Sequence, residues 1–117
     1  NNKREAMLSA LLYAENTGVY ADEAEVGTVI DENIITTAAN VNAYRMDVEG
    51  MKQVRWPGLN HARLGAVFTD ANGQIVGKFN MMVSHTYFDF SIGNYVFCDV
   101  PGGAKWMYFT SYRDIED

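Results

Sequence analysis

From about residue 24 onward, apolar residues recur at every second position in short runs separated by turn signals. No other feature constrains the fold as strongly, because a period of two sends successive side chains to opposite faces of a strand. Val26–Ile30 leads through Asp31-Glu32-Asn33, a turn, into Ile34–Thr37. Tyr44, Met46 and Val48 alternate with Arg45, Asp47 and Glu49, which predicts a strand with one wet face. Val54 and Trp56 alternate before Pro57-Gly58, and Leu64, Ala66 and Phe68 are followed by Ile75, Gly77 and Phe79. Between those last two runs Asp70-Ala71-Asn72-Gly73 is a hairpin signal, since Asn-Gly readily supplies positive φ. Tyr87–Phe90, Tyr95–Cys98 and Trp106–Tyr112 complete the set. About eight short strands with no helix between them predict an antiparallel sandwich or barrel.

The first residues follow a different rule. Met7, Leu8, Leu11 and Leu12 recur at helical spacing with Ala6, Ala10 and Ala14 between them, which predicts a helix over residues 3–16 stopped by Gly18. The expected organisation is therefore an N-terminal helix in residues 1–18 and a β-domain in residues 19–117. The helix stripe has two readings, packing on the domain's own core or closing a helical bundle that continues upstream. A start at Asn1-Asn2-Lys3, without Met, reads as a piece of a longer protein.

Composition removes several classes of function. The chain has 117 residues, is 48% hydrophobic and carries a net charge of -6, which opposes phosphate binding and so nucleic acid. No run approaches the ~20 apolar residues of a membrane-spanning helix, so no membrane insertion is expected. A lone Cys98 forms no internal disulfide. His61 and His85 lie 24 residues apart with no ligand-like spacing, so neither metal nor cofactor is expected. Ser84-His85-Thr86 are neighbours on an extended segment and point to opposite faces, and no nucleophile elbow occurs. Acid pairs drawn from Glu49, Asp89, Asp99 or Asp114 read as a solvated surface, and the chain reads as no enzyme. A calcium site at Asp70 and Asn72 is the functional alternative to a plain hairpin turn.

Binding is the better expectation. Sugars are recognised by an aromatic face with planar polar groups beside it. Trp56 beside Arg55, with His61 and Arg63 across the Pro57–Asn60 loop, and Tyr87 near His85 are the candidate ligand residues. For Trp56 the competing reading is core packing, in step with Val54. The last strand is apolar on both faces, Trp106, Tyr108 and Tyr112 on one and Met107 and Phe109 on the other. One of its faces should therefore meet something beyond its own sheet pair, and a second copy of the chain is the favoured occupant.

Three motifs carry a resemblance. They are Tyr44-Arg45-Met46-Asp47-Val48-Glu49-Gly50, Phe68-Thr69-Asp70-Ala71-Asn72-Gly73 within the 65–76 hairpin, and Val100-Pro101-Gly102-Gly103-Ala104 leading into Lys105–Phe109. In this order they resemble jelly-roll β-sandwich modules of phage tail and head fibre, baseplate and bacterial surface proteins. The resemblance spans about residues 26–112. It implies an all-β, antiparallel jelly-roll-like β-sandwich of about eight strands behind a short N-terminal helix. It further implies a homotrimer, with Met7, Leu8, Leu11, Leu12, Trp106 and Tyr108 as candidate interface residues. The implied function is a non-enzymatic attachment module on a virion or other extracellular surface. Its loops at Pro57–Arg63, Met82–Thr86 and Ile92–Asn94 would meet a host glycan or protein. The alternatives are a structural trimerisation or decoration module and a carbohydrate-binding module of a bacterial surface protein.

Overall fold

A computed structural model describes residues 10–57, 63–80, 88–89 and 95–112. Its strands are β1 (Ala10–Ala14), β2 (Thr17–Val19), β3 (Ile35–Thr37), β4 (Val41–Asp47) and β5 (Gln53–Pro57). They continue with β6 (Gly65–Thr69), β7 (Ile75–Asn80), β8 (Phe88–Asp89), β9 (Tyr95–Asp99) and β10 (Trp106–Tyr112). Every pairing is antiparallel, in a five-stranded sheet ordered β1-β4-β10-β6-β7, a three-stranded sheet β5-β9-β8 and a two-stranded ribbon β2-β3. Among the described residues the only helical turn is Ala21–Glu23, a single 3-10 turn.

Over residues 10–14 the expected helix is replaced by β1, which pairs Ala10 with Met46, Leu11 with Arg45 and Leu12 with Tyr44. The remainder of that expected helix, with Met7 and Leu8, lies outside the described residues. The physical reason lies in β4. Helical spacing is a local preference, and a helix of under ~15 residues is marginal in water by itself. The open side of β4 presents a row of amides and carbonyls that a neighbouring strand satisfies at once. Asn16 makes the turn out of β1 at φ 48°, its amide donating to Asn42 Oδ1 at 3.0 Å. Gly18, expected as a helix stop, instead sits inside β2, where a Cβ would lie 2.6 Å from Leu64 Cδ2. The expected strand at Val26–Ile30 is a looped segment that turns at Gly27 (φ 99°) and touches the sheet by one bridge, Val29 to Gln74.

The turns follow the sequence closely. At the β6–β7 hairpin Asp70 Oδ1 accepts the amides of Asn72 and Gln74 at 2.9 and 3.0 Å, and Gly73 takes φ 84°. The Asp70 carboxylate therefore closes a hairpin, and no cluster of three metal-ligating side chains occurs among the described residues.

Two apolar clusters hold the layers together. In the first, Trp56 from β5 meets Phe79 and Phe109 of the five-stranded sheet with ring centroids 5.7 and 5.6 Å apart, and Tyr44 stacks on Phe109 at 5.6 Å. Phe68, Met107, Val54 and Cys98 complete that layer. The second cluster lies on the opposite face, where Ala43, Val67 and Tyr108 are covered by Val19, Ala24 and Ile34. Val19 is pinned there by its amide, which donates to Thr110 Oγ1 at 2.7 Å. Gly65–Thr69 and Met107–Ser111 are consequently buried at every position, as strands covered on both faces must be. Around Tyr108 this second face of β10 meets the chain's own 19–35 segment, while Trp106 on the same face stays half-buried.

Candidate functional site

Of the residues expected to bind a ligand, Arg55, Trp56 and Arg63 are described, and His61, His85 and Tyr87 lie outside the described residues. So do all of the Met82–Thr86 and Ile92–Asn94 loops and most of the Pro57–Arg63 loop. Trp56 is 1% exposed, so its ring faces are spent on Phe79 and Phe109 and none is open to a sugar. Arg55 points the other way along β5 and is half-buried. Tyr108 is buried and makes an edge-to-face contact with Tyr13 at 5.3 Å. Trp106 is half-buried, with Arg45 Cζ 4.3 Å and Lys105 Nζ 5.1 Å from its ring centroid. Lys105 also bonds Asp47 at 2.7 Å, which holds the ammonium above and the carboxylate below their ordinary ranges.

Arg63 belongs to a different constellation. Its Nε donates to Asp22 Oδ2 at 2.8 Å, its Nη2 lies 3.3 Å from Glu23 Oε2, and its Cζ stands 5.0 Å from the Tyr20 ring centroid. The hydrogen bond and charge of Asp22 raise the guanidinium above its ordinary pKa. All three charged groups are solvated, so these pairs orient side chains and contribute little to stability. The Tyr20 hydroxyl donates to the Thr37 carbonyl at 3.0 Å, so the ring is fixed at both ends.

Tyr20 and Arg63 form one side of an open groove of about 540 Å³. The other side is the 25–33 loop, with Glu25, Asp31 and Asn33. That loop is strapped to the β6–β7 hairpin. Gly27 N donates to Ile75 O at 2.8 Å, Ile75 N to Thr28 O at 2.7 Å and Ile30 N to Gly73 O at 3.0 Å. Gln74 Nε2 adds a bond to Gly27 O at 2.9 Å, and Lys78 Nζ donates to Ala24 O at 2.7 Å. The groove wall is therefore built on sheet backbone, as a preformed binding site requires. Chemically it offers three carboxylates (Glu23, Glu25, Asp31), one amide, threonine hydroxyls and one arginine already paired. An anion would face the carboxylates of Glu25 and Asp31 beside the Arg63–Glu23 pair, whereas hydroxyl or ammonium donors would find acceptors.

No known protein family, curated protein or solved structure matches the chain. The groove is the constellation that the sequence reading missed, except for Arg63. Its signal was the concentration of Asp22, Glu23, Glu25, Asp31 and Glu32, five of the chain's fifteen acids, in one short stretch.

A second cleft, of about 320 Å³, lies beside β7 and β9, with Gly77, Cys98 and Pro101 on its walls. Burial, and secondarily the charge of Asp99, pushes the Cys98 thiol up from 9.0 to about 12. At pH 8 iodoacetamide should therefore modify Cys98 slowly in the native protein and rapidly in concentrated urea. Because the folded pKa is raised, its contribution to stability is complete below pH ~9 and is lost as pH rises towards ~12. The urea midpoint should fall between pH 8 and pH 11 by more in the wild type than in Cys98→Ala. Equal falls in the two proteins would show that the thiol is not shifted.

Proposed function

We propose that the chain is a non-enzymatic attachment module of a virion fibre or comparable extracellular surface structure. Its ligand is a neutral or amino-containing sugar of a host-surface glycan, bound in the Tyr20–Arg63 groove. The observation that carries this reading is the groove itself, an open cleft of about 540 Å³ with a fixed tyrosine, three carboxylates and Asn33 converging on it. Its size is in the range of small-ligand sites, and its polarity suits a polyhydroxylated ligand better than an anionic one. The jelly-roll β-sandwich belongs to the same proposal. It is supported by nested pairing, β4 with β10 and β5 with β9, across two packed sheets. The β6–β7 hairpin departs from that pattern by staying within one sheet. The homotrimer expected from a helical stalk loses part of that basis, since Leu11 and Leu12 lie in β1 and contacts there run through a sheet edge. A ligand-free structural module is the second reading, favoured by the burial of Trp56 and Tyr108.

A glycan array with neutral, amino and sialylated or sulfated glycans tests the proposal. Binding is expected to neutral or amino glycans, and to fall about ten-fold in Glu25→Gln. Binding confined to acidic glycans, or unchanged in Glu25→Gln, would overturn the groove as the site. Silence across the array would move the assignment to the structural module.

A further inference from the structure

The five-stranded sheet ends on one side at β1, which pairs with β4 on its inner side and has no partner on its outer side among the described residues. Such an edge presents unpaired amides and carbonyls, and proteins usually guard it with a lysine, a proline or an inward charge. The opposite edge, β7, carries Lys78. β1 reads Ala-Leu-Leu-Tyr-Ala, with no charge and no proline, and the register shift between Leu12 and Ala14 is the protection it carries. Leu11 is 66% exposed, Leu12 51% and Tyr13 51%. Leu11 and Leu12 point to opposite faces, so this edge is apolar above and below the sheet plane, and among the described residues no strand pairs with its outer side.

We infer that β1 is the contact through which two copies of this chain pair, edge to edge and antiparallel, about a two-fold axis near Leu12. Three observations favour a second copy over another occupant. The strand is palindromic in side-chain size about Leu12, with Leu11 and Tyr13 on either side and Ala10 and Ala14 at the ends, so two antiparallel copies bring large side chains near large and small near small. It carries no charge that would select a charged partner. The chain's net charge of -6 makes two copies repel elsewhere, so the uncharged edge is where they approach at least cost. Pairing there would join two five-stranded sheets into one continuous sheet. The contact is short, and the register shift between Leu12 and Ala14 adds twist that limits its length. A strip of this size belongs with weak, transient interfaces, so association in the range of about 10–100 µM is expected.

Sedimentation or light scattering of the full chain from about 1 to 500 µM should show the mass rising from 13.1 kDa towards twice that value. Leu12→Lys should keep the mass at the monomer value throughout, with an unchanged circular dichroism spectrum. Leu12→Cys should form a disulfide-linked dimer on mild oxidation, because a two-fold axis near Leu12 brings the two thiols together. Three results would overturn the inference. One is a wild-type monomer at 500 µM, which is the expected behaviour if the chain's own upstream residues occupy the edge. The others are a trimer, and a dimer that survives Leu12→Lys. None of these measurements involves a glycan, so their outcome is separate from that of the groove.

Discussion

Trp56→Ala should lower the unfolding free energy by about 3–5 kcal/mol, read as a fall of roughly 12–20 °C in melting temperature. The indole is the largest fully buried side chain and joins the two sheets, reaching from β5 to Phe79 on β7 and Phe109 on β10. Deleting it removes the transfer free energy of the ring and leaves a void that strands held by backbone ladders cannot close. A companion substitution separates packing from hydrogen bonding. Trp56 Nε1 is buried with no acceptor among the described residues. Trp56→Phe removes that unsatisfied donor with the second ring, so it should cost only about 1–2 kcal/mol. Urea denaturation monitored by circular dichroism checks both. Equal losses in the two variants would mean that the indole N–H is bonded in the folded protein.

Gly65→Ala should be as damaging without deleting a single atom. A Cβ there would overlap the Phe79 carbonyl oxygen and come within 3.1 Å of Asn80 Cα, all backbone of the paired strand β7. Backbone in a ladder cannot swing aside, so the strands must part where β6 starts. A loss of at least about 3 kcal/mol is expected. Gly18→Ala meets the buried Leu64 side chain at 2.6 Å and the Ala38 Cβ at 3.0 Å, so Leu64 must repack and the change should cost about 1–3 kcal/mol. Gly102→Ala faces open space and should change stability by less than about 0.5 kcal/mol. If Gly65→Ala proved as mild as Gly102→Ala, the close β6–β7 approach at this point would be wrong.

These contrasts mark what was legible in the amino-acid sequence. The Asp70–Gly73 hairpin and the alternation through Tyr44, Met46 and Val48 are local, because a turn is settled by the few residues that make it and a strand face by every second residue. Trp56 falls in step with Val54, and that step points it inward. Leu11 and Leu12 have helical spacing yet lie in β1, because their partner, the edge of β4, is some thirty residues away and leaves no mark on their own pattern. The two-sided burial of β10 is visible in Trp106–Tyr112, but its covering segment is a weakly patterned stretch with turn residues at Gly27 and Asp31. The groove was illegible for the same reason: Tyr20, Glu25 and Arg63 converge only after that stretch has folded over the β6–β7 hairpin. Arg63 is a candidate by its neighbours in sequence, whereas Asp22 and Glu23, with which it pairs, lie some forty residues upstream.

The position of β10 has a consequence for how the protein is made. It is the last described strand in the chain and the middle strand of the main sheet, with β4 on one side and β6 on the other. Until it emerges from the ribosome, β4 and β6 have no common neighbour, and Val19 waits for a hydroxyl 91 residues downstream. Most stabilising contacts span long stretches of chain, so loop closure precedes most of the gain and folding should be slow for a domain of this size. A nascent chain released short of Trp106 would expose both apolar clusters at once, leaving a stalled or truncated product open to aggregation.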